Sequence, residues 1–138
     1  TLNRMADMGV ERYLIADSVV GVIAQRLVRK LCPHCRRKRL ATEEEKRILK
    51  RDAAEATEIY EPVGCDLCNH TGYFGRTGVF EIMEVNEEIR NLIAEGGSSE
   101  ELEEAAKRSG MRTLRDNGIL YVLDGVTSIE EMLKASYE

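Results

Sequence analysis

All four cysteines of this 138-residue chain fall into two matching brackets, Cys32-Pro-His-Cys35 and Cys65-Asp-Leu-Cys68. Two thiolates three positions apart can grip one divalent ion from a tight turn, and two such turns supply a tetrahedral set of four sulfurs. Four thiolates leave no open coordination position, so the expected role of the ion is structural. The intervening stretch, residues 36–64, is longer than a compact zinc ribbon needs. Thr42 with Glu45 three residues later is a capping box, which places a short helix in that stretch as an insertion. The bracketed region has few large apolar side chains and is expected to rely on metal to hold together; binding by a folded-only zinc site contributes roughly 10–16 kcal/mol.

Competing uses of the cysteines fit less well. Disulfides need an oxidising compartment, and Thr1–Gly9 lacks the basic start and apolar run of a secretory leader. A dithiol redox centre accounts for one bracket but not two. Unpaired core cysteines do not often fall into matched pairs by chance. The metal ligands are therefore expected to be Cys32, Cys35, Cys65 and Cys68, bound to Zn²⁺. His34 and His70 adjoin them and could substitute, but four sulfurs leave the imidazoles beside the ligand set or in solvent.

The net charge of −5 conceals a segregation. Residues 22–40 hold Arg26, Arg29, Lys30, Arg36, Arg37, Lys38 and Arg39 and no acid, whereas residues 86–104 hold seven Glu against Arg90. Either these are two solvated faces, or they form a bipolar surface that docks a partner or a neighbouring copy. With no Trp and two Phe, the core must rest on aliphatic residues. The longest uncharged apolar-leaning run, Ser18–Gln25, is far too short to span a bilayer. Thr1 in place of an initiator methionine points to a piece of a longer protein or a processed product.

Apolar residues at 19, 20, 23, 27 and 31 have helical spacing, which predicts a helix over residues 18–30 after the tail of another helix ending at Gly9. A strand is expected to enter the second cysteine pair from Thr57. Glycines at 72, 75 and 78 among aromatic and β-branched residues predict a hairpin or two short strands. Beyond Asn86, capping signals at Asn86, Ser98 with Glu101, and Thr127 with Glu130, and glycines at 96, 110 and 125, predict four short helices in one compact bundle. The fold class is α+β, predominantly helical.

No catalytic set is legible. A phosphate-gripping P-loop needs Gly-Lys followed by Ser or Thr, and no Gly-Lys pair occurs. The Gly72, Gly75 and Gly78 spacing is no dinucleotide fingerprint. Neither catalytic nor cofactor-binding residues are expected. A nucleic-acid-binding zinc domain is an alternative raised by the basic run, opposed by the acidic total and by the scarcity of aromatics near the brackets, Tyr73 and Phe74.

The strings MGVERYLIADSVVGVIAQRLVRKLCPHC, YEPVGCDLCNHTGYFGRTGVFEIMEV and TLRDNGILYVLDGVTSIEEML, in that order, resemble the C-terminal portion of the type II secretion and type IV pilus assembly ATPases. The cysteine gap looks closer to the general secretory pathway protein E branch. The resemblance implies residues 1–30 as closing helices of a RecA-like ATPase core, 31–72 as a tetracysteine zinc subdomain, and 73–138 as a hairpin and C-terminal helical lobe. It further implies a homo-hexameric parent that binds ATP and Mg²⁺ through motifs upstream. That parent would work in the bacterial cytoplasm at the inner membrane, with secretion or pilus platform proteins. Contact of the basic run with anionic lipid is a further expectation, and nucleic acid is not an expected partner. Arg26 and Arg29 are expected at a subunit boundary or as solvated helix charge, and Arg76 in an ion pair that locks the hairpin.

Overall fold

A computed structural model describes residues 2–136. In chain order the elements are α1 (Leu2–Asp7), α2 (Arg12–Ser18), β1 (Gly21–Leu31), β2 (Arg37–Leu40), α3 (Glu43–Ile48), β3 (Glu58–Glu61), a 3₁₀ turn (Asp66–Cys68), β4 (Tyr73–Glu84), α4 (Glu87–Glu95), α5 (Ser99–Arg108), α6 (Leu114–Leu123) and α7 (Ile129–Ser136). The fold is mixed helix and strand. β1 pairs with β4, and β2 pairs with β3. The chain divides into two compact units, one built from residues up to Ala24 with Glu81–Thr113, the other from Gln25–Phe80 with the stretch from Leu114 onward.

The first unit has a core of Leu2, Ile15, Ala16, Val85, Ile89, Ile93, Leu102, Ala105 and Ala106. Ile89 and Ile93 are one helical turn apart on α4, and Leu102, Ala105 and Ala106 repeat the spacing on α5, so each helix turns one apolar stripe inward. Asn86 caps α4 by accepting the Ile89 N–H at 2.9 Å, and Ser98 with Glu101 forms the expected capping box on α5.

In the second unit β2 and β3 run antiparallel, with Arg37 opposite Glu61, Lys38 opposite Tyr60, Arg39 opposite Ile59 and Leu40 opposite Glu58. Ala41, Leu49 and Ile59 share a core with Ile119, Val122, Ile129 and Met132 from α6 and α7. The insertion helix α3 keeps its capping box: Thr42 Oγ1 accepts the Glu45 N–H at 3.2 Å and Glu45 accepts the Thr42 N–H at 2.9 Å. Gly118 lets α6 and α7 approach closely; a Cβ there would lie 2.6 Å from Met132 Cγ.

Four expectations are corrected. Residues 21–31 form a strand, not a helix. The positions that suggested a helical stripe, Ile23 and Leu27, are 67% and 59% exposed, while Val22, Ala24, Arg26 and Val28 alternate inward. Pairing with β4 and a run of β-branched residues outweigh the 3.6-residue pattern. Second, Tyr73–Glu84 is one twelve-residue strand rather than a hairpin or two short strands, with Gly75 and Gly78 inside it. Third, the four C-terminal helices do not make one bundle: α4 and α5 belong to the first unit, α6 and α7 to the second. Finally, α7 is capped one residue later than the sequence indicated. Ser128 Oγ accepts the Glu131 N–H at 3.3 Å, and Thr127 instead donates to the Arg29 carbonyl at 2.8 Å.

Candidate metal centre

The first cysteine turn follows the end of β1, and the second lies between β3 and β4. Two backbone bonds fix the first turn: Leu31 N–H donates to the Val126 carbonyl at 2.8 Å and Cys32 N–H to the Gly72 carbonyl at 2.9 Å. The second is shaped by Asn69 and His70, both left-handed at φ 55° and 60°. It is closed by His70 N–H on the Cys65 carbonyl at 2.8 Å and Thr71 Oγ1 on the Cys68 carbonyl at 2.8 Å.

All four predicted ligands converge, their sulfurs lying within 4.8 Å of one another. Cys32–Cys65 and Cys35–Cys68 stand at 3.8 Å, and Cys65–Cys68 at 3.7 Å. A tetrahedron with Zn–S bonds of about 2.3 Å has sulfur–sulfur edges of about 3.8 Å, so the donor set fits such an ion. Three backbone donors point at the sulfurs: Gly64 N–H at Cys35 (3.3 Å), Cys65 N–H at Cys68 (3.2 Å) and Gly72 N–H at Cys68 (3.2 Å). Burial raises the Cys68 thiol, but the Cys65 and Gly72 N–H groups and the neighbouring thiols outweigh it and hold it at about 6. Burial dominates at Cys65 and pushes it up to about 11. The N–H donors favour the thiolate form of Cys68, and the charge of a bound divalent ion would deprotonate all four thiols.

Gly72 is the knot of the site. It is buried at φ +83°, its N–H serves Cys68 and its carbonyl serves Cys32, and a Cβ would lie 2.4 Å from that of Pro62. His34 and His70 lie outside the sulfur cluster; both are exposed, and His70 pairs with Asp66 at 3.1 Å.

The basic run is not a bare pole. Arg29 grips the buried Glu131 through Nε at 2.9 Å and Nη2 at 2.8 Å, while its own N–H donates to Oε2 at 2.9 Å. Its guanidinium also stacks 4.1 Å from the Tyr73 ring centroid, and the Tyr73 hydroxyl meets Ser128 Oγ at 2.7 Å. Burial raises the Glu131 carboxyl, but the Arg29 bonds prevail and hold it below its ordinary value. Arg36 donates to the Gly125 carbonyl at 2.7 Å and stacks on Tyr60. Arg37 pairs with Glu61, Lys38 with Glu58, and Arg39 with Glu45 and Glu61. Arg29 is therefore an internal tie and not a solvated helix charge. Arg26 donates to the Gln25 carbonyl at 2.9 Å, and the lock expected of Arg76 is not seen: it has no ion pair among the described residues.

Sequence reading missed Glu131 and the N–H donors of Gly64 and Gly72. The glycines immediately before and four residues after the second bracket were the available signal; Glu131, 102 residues from Arg29, left none. Among the described residues no helix is long and apolar enough to cross a membrane.

Residues 1–134 match the family model of the type II/IV secretion system proteins. The type II secretion system protein E of Aeromonas hydrophila is 43% identical over 137 residues, 99% of this chain and 27% of the relative. The type II secretion system protein HxcR of Pseudomonas aeruginosa is 41% identical over 135 residues, 98% of this chain and 25% of the relative. The type IV pilus assembly ATPase PilB of Thermus thermophilus is 40% identical over 139 residues, 99% of this chain and 16% of the relative. The chain thus spans about a quarter or less of the length of these curated relatives. Because that family match runs over residues 1–134, a range that includes both cysteine turns, the chain belongs to the type II/IV secretion system protein family.

Proposed function

We propose that the chain is the zinc-binding C-terminal module of a hexameric ATPase that powers type II secretion by driving pseudopilus assembly. The observation that carries this reading is the convergence of four sulfurs within 4.8 Å of one another, in a chain aligned almost end to end with proteins named for that system. Cys32, Cys35, Cys65 and Cys68 would hold Zn²⁺, which supplies rigidity and no reaction, because four thiolates close its coordination sphere. Residues 1–30 would complete a RecA-like core whose ATP and Mg²⁺ sites lie upstream, so the module is inert as an enzyme by itself. It would work in the cytoplasm at the inner membrane, presenting a stiff surface to a neighbouring subunit or to an inner-membrane platform protein. Internal pairing of Arg29, Arg37, Lys38 and Arg39 weakens the case for anionic lipid or nucleic acid as the direct partner.

Metal analysis of the chain purified under reducing conditions is expected to give about one zinc per chain; a metal-free, fully folded protein would sink the reading. Only the longer parent should hydrolyse ATP. A type IV pilus assembly ATPase is the second reading, favoured by the 40% identity to a protein of that name. Deleting the parent gene separates them: loss of secreted proteins supports the first, loss of surface pili the second.

A further inference from the structure

The four sulfurs differ in access. Cys32 and Cys68 are buried, while Cys35 and Cys65 are part-exposed. Each buried sulfur faces an accessible one across the two turns, Cys32 against Cys65 and Cys35 against Cys68, both at 3.8 Å. This arrangement provides, twice over, a thiolate that an oxidant in solution can reach and a resolving thiolate beside it. Within the turns, Cys65 and Cys68 stand at 3.7 Å, and Cys32 and Cys35 lie within the 4.8 Å that spans the cluster. Pairing across the turns uses a 3.8 Å approach in both bridges.

We infer that the cysteine cluster is also a peroxide-sensitive latch, in which oxidation joins Cys32 to Cys65 and Cys35 to Cys68 and frees the metal while the two turns stay tethered. The inference rests on the zinc reading above. In each pair the accessible thiolate attacks one oxygen of hydrogen peroxide, giving a sulfenic acid and hydroxide. The buried thiolate then attacks that sulfur, forming the disulfide and expelling a second hydroxide. Two peroxides are reduced, four thiolates are oxidised to two disulfides, four hydroxides leave, and Zn²⁺ departs for want of ligands. Each crosslink spans 33 residues of sequence and ties the end of β1 to the turn before β4, as the metal does. A dithiol reductant with added Zn²⁺ reverses the change.

The test uses the zinc-loaded chain with hydrogen peroxide as the probe. Zinc content is measured first, then release to a chromogenic chelator, then crosslinks by mass spectrometry of a non-reduced digest. The expected result is release that saturates near two peroxides per zinc, crosslinks 32–65 and 35–68, and recovery of zinc after dithiothreitol. Zinc retained under excess peroxide, crosslinks 32–35 and 65–68, or links between molecules would overturn the inference and leave the zinc reading intact. A folded chain that carries no zinc before peroxide is added would remove both.

Discussion

Gly72 concentrates three demands on one residue: a left-handed backbone, a carbonyl that receives Cys32 and an N–H that stabilises the Cys68 sulfur. Any side chain there meets both the cost of the left-handed region, about 1–2 kcal/mol, and the Pro62 ring. Gly72→Ala is expected to lower stability by about 2 kcal/mol or more and to weaken zinc affinity, read by urea denaturation and by competition with a metal indicator. Glu131 is the other residue on which much depends, since its carboxylate takes three hydrogen bonds from Arg29 alone. Removing it strands a guanidinium that is 45% exposed, so solvent recovers part of the loss. Glu131→Ala should therefore cost about 2 kcal/mol, short of the 3–5 kcal/mol seen when a fully buried pair is broken; thermal melting measures it, and an unchanged melting temperature would show the tie to be idle.

At the scale of elements, α3 depends on a carboxylate with two duties. Glu45 closes the capping box on Thr42 and pairs with Arg39, whose hydrogen bonds hold the acid at about 2 against an ordinary 4.5. A depressed carboxyl contributes its full stabilisation above 4.5 and loses it as the pH falls toward 2. Glu45→Gln is therefore expected to destabilise by about 1 kcal/mol at neutral pH and to converge with the parent protein at about pH 2, followed by chemical denaturation of both across that window. Acid displacement of metal affects both proteins alike, so the difference isolates the carboxylate. Helix starts such as this one were legible in the sequence because a cap is settled within four residues. The strand at 21–31 was not, because Ile23 and Leu27 satisfy a helical stripe equally well until β4, some fifty residues on, offers a hydrogen-bonding partner. The same divide runs through the site. The sulfurs announced themselves by spacing, whereas the Glu131 tie and the Gly72 knot exist only after distant segments meet.

At the scale of the molecule the two hydrophobic cores share no residue, and every cysteine lies in the second unit. Chelating the metal is thus expected to act regionally. Hydrogen exchange should rise across residues 25–80 and 114–136, while the amides of α1, α2, α4 and α5 keep most of their protection. Uniform loss along the chain would show that the units unfold as one.

The Arg29–Glu131 tie also has a bearing on how the chain is made. Its partners are separated by 102 residues, and the core around Ile59 waits for Met132. On the ribosome the thiols therefore emerge long before the helix that ties down Arg29 at the end of β1. Until α7 has been synthesised the cysteine turns stand beside an incomplete core, so early zinc capture, or a chaperone that shields the turns, would protect the newborn protein from miscrosslinking.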